Sequence, residues 1–172
     1  MSVRSTTLRA SAGIALVALV SSPSANAESP ECDGLGARVA VVCEINRVRD
    51  DRGLDLLEHD RRLRRAAVLQ ARDMVARAYF AHVTPDGRRL ADRLRATGYI
   101  SGRVAWHVGE TLAWGTGEFS TPASAVAGWM RSPSHRRVLL GPFLEIGVGV
   151  ADGVPFGGDG ATYAADFGRL GD

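Results

Sequence analysis

The 172-residue chain contains no lysine; all 21 of its basic residues are arginine. A basic set drawn from arginine alone reads as genome composition rather than as a site. There are only two cysteines, Cys32 and Cys43. A pair allows one connectivity, and neither cysteine has a histidine beside it in sequence, so a cysteine nucleophile is not indicated. No G-x-S-x-G elbow occurs, which removes the commonest serine-hydrolase signal. No H-E-x-x-H pair occurs either, so no helical zinc motif is signalled. Past the first residues, no segment is long and apolar enough to span a bilayer, which takes about 20 residues. Neither an internal repeat nor a second domain is visible.

What is present begins with an export signal. Arg4 and Arg9 make a positive start, residues 10–20 an uncharged apolar run, and Ala25-Asn26-Ala27 a small-residue cleavage site. Residues 1–27 therefore read as a secretory signal peptide cut after Ala27. The 21 arginines oppose 19 acidic residues. Arg4 and Arg9 leave with the leader and no acid does, so the remainder is balanced. Net charge thus implies no nucleic-acid or anionic-membrane partner. About 145 residues remain, enough for one domain with a proper core. An exported chain meets an oxidising compartment, which favours a Cys32–Cys43 disulfide. A loop of that size contributes about 3 kcal/mol in the chain-entropy account.

Residues 28–38, rich in Gly, Pro and Ser at their start, read as a flexible N-terminal segment. Apolar residues at 39, 42, 45 and 48 predict a helix over 39–51, stopped at Gly53. Leu54, Leu56 and Leu57 follow as an apolar run. Asp60 is an N-cap candidate for a longer helix. Its stripe runs through Leu63, Ala66, Ala67, Gln70, Ala71, Met74, Val75 and Ala78, and it is expected to end at Tyr79-Phe80. Arg61, Arg62, Arg65 and Arg72 fall on or near its other face. Phosphate binding is one reading of that run; Glu58, Asp60 and Asp73 nearby favour a solvated face instead. His59 reads as a surface residue.

Pro85-Asp86-Gly87 is turn material. A short helix over 88–96 ends at Gly98, and residues 104–114 read as a short irregular strand or extended loop. Thr121 N-caps a helix with Pro122 at its first position, and Ser132-Pro133 ends it. Period-two patterns over 145–150 and 161–167, around a Gly-rich turn, predict a hairpin. Helices first and antiparallel strands last point to an α+β fold.

Three ionisable side chains stand in turns or at element ends: His82 in Tyr79-Phe80-Ala81-His82, Glu110 after Gly109, and His135 in Ser132-Pro133-Ser134-His135-Arg136. If they share a cleft, two imidazoles and a carboxylate can bind a divalent metal, move a proton, or clamp loops together. Ser132 and Ser134 read as turn chemistry rather than nucleophiles. Tyr79, Phe80, Trp106, Trp114 and Trp129 can wall an apolar pocket or simply fill core. His107, three residues from Glu110, points to the opposite side of an extended segment.

In order, these blocks resemble the CAP superfamily (the cysteine-rich secretory, antigen 5 and pathogenesis-related 1 group), in its short bacterial secreted branch. Five blocks carry the resemblance: Glu44-Ile45-Asn46-Arg47 through Gly53; Ala71-Arg72-Asp73-Met74 through His82 and Pro85-Asp86-Gly87; Gly109-Glu110; Trp129 through Arg136; and Glu145 through Gly149. It covers about residues 42–168, with residues 39–172 as a single CAP-like domain. The resemblance implies an α-β-α sandwich with a small three-stranded antiparallel sheet between helical layers. It also implies a cleft lined by two His and two Glu. His82, Glu110 and His135 match three of the four. Ser132 stands where the eukaryotic branch has the fourth, and Glu145 is a substitute candidate. Thr111, Ser134 and Ala165-Asp166 depart from the family pattern, and Asp166 is expected to face solvent.

The expected protein is a secreted monomer of the cell envelope or exterior. Its His/Glu-lined cleft would bind a lipid-like molecule, an extracellular protein or envelope component, or a divalent metal such as Zn²⁺ or Mg²⁺ held by His82, Glu110 and His135. Alternatives are a metal-assisted or His/Glu-dependent hydrolase, with those same three residues as catalytic candidates, and a structural interaction domain.

Overall fold

A computed structural model describes residues 32–171; the expected signal peptide over 1–27 lies outside them. Helix α1 (Ala37–Asp50) opens the fold. It starts two residues earlier than apolar spacing predicts, because Ala37 and Arg38 carry no apolar signal. Cys32 is bonded to Cys43 across its first turns. Asn46 then trades hydrogen bonds with Leu57, taking its N–H at 2.9 Å and donating to its carbonyl at 3.1 Å. This fixes the run into a two-residue strand, β1 (Glu58–His59).

Helix α2 (Arg61–Ala76) begins as expected: the Asp60 carboxylate accepts from the Arg62 and Leu63 amides. It ends at Ala76, short of Tyr79. Ala78 takes φ +53°, and the amides of Ala78 and Tyr79 return to the carbonyls of Val75 and Met74. This is a Schellman closure with alanine where glycine is usual, so no composition signal marks it. Helix α3 (Leu90–Ala96) and a turn through Gly98 at φ +78° lead into strand β2 (Trp106–Gly115). The irregular segment expected here is a regular ten-residue strand; Gly109 broke its period-two pattern without breaking the ladder.

After a 3₁₀ turn, α4 (Pro122–Arg131) and α5 (Pro133–Leu139) follow. Helix α5 was not anticipated. Ser132 closes α4 and caps α5, and Pro133 at the first helical position reads equally well as a stop or a start. Strands β3 (Glu145–Asp152) and β4 (Ala161–Leu170) form the expected hairpin.

The sheet has four strands in the order β1-β3-β4-β2, and it is mixed, not three-stranded and antiparallel: β1 runs parallel to β3. Two residues are too few to print a period. Helices cover both faces, giving the α-β-α arrangement. On one side Val41 and Ile45 of α1, Val126 and Trp129 of α4 and Leu139 of α5 meet Ile146, Val148, Tyr163, Ala165 and Phe167. On the other, Ala67, Ala71 and Met74 of α2 meet Leu112, Ala151 and Ala164. Beside them Leu63 and Ala66 meet Leu94, Tyr99 and Ile100. Strand alternation separates the two sets. Gly147 and Gly149 let α2 lie directly on the sheet, since a Cβ at either would fall within 2.0–2.2 Å of its backbone. Because β2 is an edge strand, the sheet is open along it, and the candidate site lies there.

Candidate functional site

The loop after α2 carries His82. Gln70, buried in α2, donates to the Ala81 carbonyl at 2.8 Å, and Arg93 of α3 donates to the His82 carbonyl at 2.9 Å. The Pro85-Asp86-Gly87 turn closes with Gly87 at φ +84° and its amide on the Thr84 carbonyl. The imidazole is thereby aimed at β2, where His82 Nδ1 lies 2.7 Å from Glu110 Oε1. The Arg93 guanidinium takes the other Glu110 oxygen. Both carboxylate oxygens are occupied, and Glu110 and Arg93 are buried while the His82 side chain is 56% exposed. With Nδ1 turned to Glu110, Nε2 is the ring nitrogen directed away from that carboxylate.

Behind Glu110 stands Asp166, its register partner on β4. The sequence reading put Asp166 in solvent; it is fully buried, because even positions of β4 turn toward α2 and α3. Neither of its oxygens has a hydrogen-bond partner. Burial first, and the neighbouring Glu110 charge second, push its carboxyl well above the ordinary carboxylate range. Both causes favour the protonated form of Asp166 beside the Glu110 carboxylate.

His135 comes from α5, in the opposite helical layer. Burial lowers its pKa, and proximity to His82 lowers it further. His135 therefore stays neutral at lower pH than a free imidazole. Glu145 does not join them. It is the first residue of β3, two positions from the register of Asp166, and its carboxylate accepts from the Tyr99 hydroxyl at 2.6 Å instead. His107 points away from Glu110, stacked on Phe143 at 4.8 Å.

Beside the histidines is a cavity of about 420 Å³. Phe80, Trp114, Phe119 and Trp129 supply apolar surface, and Arg131, Ser132 and His135 the polar side. Trp129 is locked in place by its indole N–H on the Leu112 carbonyl at 2.8 Å. Of the four named candidates, only His135 lines this cavity. Of the five aromatics, Phe80, Trp114 and Trp129 line it; Tyr79 is turned to Asp73 and Trp106 to Arg95. Ser132 Oγ contacts Ser134 Oγ at 3.1 Å.

Sequence reasoning missed Arg93, which ties the loop of His82 to Glu110. Its signal was there: Leu90, Arg93 and Leu94 share one helix face, so the arginine stands on an apolar stripe. As a metal site the donors fit poorly. Among the described residues no three His, Cys, Asp or Glu side chains gather as a ligand set, and Glu110 is committed to Arg93 and His82. Catalytic zinc uses three protein ligands, and no such set gathers among the described residues.

Residues 42–158 match the sequence profile of the CAP, cysteine-rich secretory protein family, and the chain belongs to that family. It is 35% identical over 113 residues to the uncharacterised protein YkwD of Bacillus subtilis (strain 168), a match covering 65% of this chain and 41% of that protein. It is 34% identical over 106 residues to the uncharacterised membrane protein YlbC of the same organism, covering 61% and 29%. The chain therefore spans less than half the length of these relatives. Among solved structures, an extracellular SCP-domain protein of Bacillus anthracis superposes with a TM-score of 0.66 at 29% identity, covering 78% of this chain and 40% of that one. An outer surface protein of Borrelia burgdorferi shares the fold, with a TM-score of 0.62 at 22% identity over 75% of this chain and 89% of its own. No helix among the described residues is long and apolar enough to cross a membrane.

Proposed function

We propose that this CAP protein is an exported, non-enzymatic binding module whose cleft takes a small amphiphile, with an apolar body and a polar head. One observation carries the reading: a 420 Å³ cavity walled by Phe80, Trp114, Phe119 and Trp129 opens beside the hydrogen-bonding groups of Arg131, Ser132 and His135. Ligand sites of this kind are mostly apolar concavities with a few placed polar groups. The residue ties favour binding over hydrolysis. Both Glu110 oxygens are already engaged, by His82 and by Arg93, and Ser132 Oγ is engaged with Ser134 Oγ. In this reading Glu110 and Arg93 hold the His82 loop, and His135 meets the ligand head.

The test is calorimetric titration of the full chain with single-chain amphiphiles of varied head group. Trp114→Ala and His135→Ala should each weaken binding about tenfold or more, as loss of a central aromatic or polar contact does, without lowering the melting temperature. No amphiphile binding, or binding indifferent to both variants, would sink the proposal.

A second reading keeps one support. His82, oriented through Nδ1 by Glu110 with Nε2 exposed, has the arrangement of a general base. Peptide or envelope hydrolysis that vanishes in His82→Gln, while amphiphile binding persists, would establish it.

A further inference from the structure

A second concavity, of about 630 Å³, lies on the outer face of α2 and shares no lining residue with the cleft. Its wall is Arg61, Arg62, Arg64, Arg65, Val68, Leu69 and Arg72 of α2, with Arg38 of α1 and Thr97 beside them. Arg62 apart, the α2 positions follow i, i+3, i+4, i+7, i+8, i+11, which makes one continuous stripe about 16 Å long.

Two of the three acids near this face, Asp60 and Asp73, are already engaged, Asp60 with an arginine of the groove itself. Asp60 caps α2 and pairs with Arg62. Asp73 binds Arg77 and the Tyr79 hydroxyl. Glu58, on the adjoining β1, makes no ion pair among the described residues. Arg38, Arg61, Arg64, Arg65 and Arg72 likewise have no ion-pair partner there. The first turn of α2 carries no acid, although a helix N-terminus is already positive and like charges at i, i+4 repel. A merely solvated face gains nothing from such an arrangement; a bound anion offsets every part of it.

We propose that this groove binds a linear phosphate polyanion, laid along α2 with its phosphates on Arg61, Arg64, Arg65 and Arg72 and flanked by Arg38. Guanidinium forks match phosphate oxygens, and their succession along one helix suits a chain rather than a single ion. No aromatic side chain lines it, so bases have nothing to stack on, and recognition is of phosphate alone.

The probe is a short linear polyphosphate, titrated into the full chain beside orthophosphate, phosphatidylglycerol vesicles and an oligothymidylate at equal phosphate concentration. Polyphosphate should bind with a log–log salt slope of about −3.5 for five arginines, so that raising salt from about 50 to 200 mM weakens it roughly 100-fold. Arg61→Gln/Arg65→Gln/Arg72→Gln, all at exposed positions, should flatten the slope to about −1.5 while keeping the melting temperature. Arg52→Gln/Arg103→Gln/Arg169→Gln, of equal charge change elsewhere, should leave binding intact. Absence of polyphosphate binding overturns the proposal, as does equal loss in both triple variants. Orthophosphate or vesicles binding as tightly would also overturn it, and tighter binding of oligothymidylate would give the groove to nucleic acid instead.

Discussion

Glu110 and Asp166 face each other across β2 and β4, yet only Glu110 has partners. Two carboxylates this close cannot both ionise cheaply, and the one without donors keeps its proton. The consequence for stability follows from sign. The folded Asp166 pKa lies above its ordinary 3.8, so its contribution is full below about pH 4 and lost as pH rises through the folded value. Asp166→Asn keeps the shape and cannot ionise. It should melt a few degrees higher than the parent at about pH 8, with the difference vanishing near pH 4; thermal scans across that range decide it. A uniform drop at every pH would mean the carboxylate is ionised and paired. His135 works in the opposite sense: its depressed pKa makes stability fall as pH drops below about 6.5.

Among the elements, α2 packs directly on the backbone of β3. Gly147 and Gly149 present bare backbone to α2, and a Cβ on Gly149 would stand 2.2 Å from the Ala67 carbonyl carbon. Backbone on both sides leaves nothing to yield, so the helix must lift. Gly149→Ala should destabilise by about 3 kcal/mol or more, at the upper end of overpacking effects, read as a lower denaturation midpoint. Because α2 sets where the loop of His82 begins, the same variant should loosen the His82–Glu110 contact, visible as a change in the His82 ring resonances. Arg49 plays a comparable role on the other face. Buried in α1, it donates to the carbonyls of Asp55, Leu139, Gly141 and Phe143, which ties the end of α5 to the start of β3.

Taken whole, the molecule presents two chemically distinct hollows: a half-apolar cleft at the open edge of β2 and an arginine groove along α2. Balanced overall charge concealed the second, since acids elsewhere in the chain cancel the groove in a sum but not in space. The donor geometry at the cleft also bears on the whole protein. With no three-ligand set among the described residues, Zn²⁺ or Mg²⁺ should leave the melting temperature of the full chain within about 1 °C, because stabilisation requires occupancy of the folded state. A stoichiometric, chelator-reversible rise would show that His82 and His135 recruit a third ligand.

Much of this was legible in one dimension. Asp60 as a cap, Thr121 with Pro122, the closing hairpin and the Cys32–Cys43 bond are local matters, settled by propensity, period or the count of cysteines. The blocks around His82, Glu110 and His135 were equally visible, but only His82 lies in a turn: Glu110 is mid-strand in β2 and His135 belongs to α5. What needed three dimensions was everything set by who faces whom. Strand register put Asp166 behind Glu110, a buried arginine three positions along a short helix tied up the carboxylate, and the pairing of β1 with β3 made the sheet mixed. Spacing along a chain specifies the face of an element; only packing decides what that face meets.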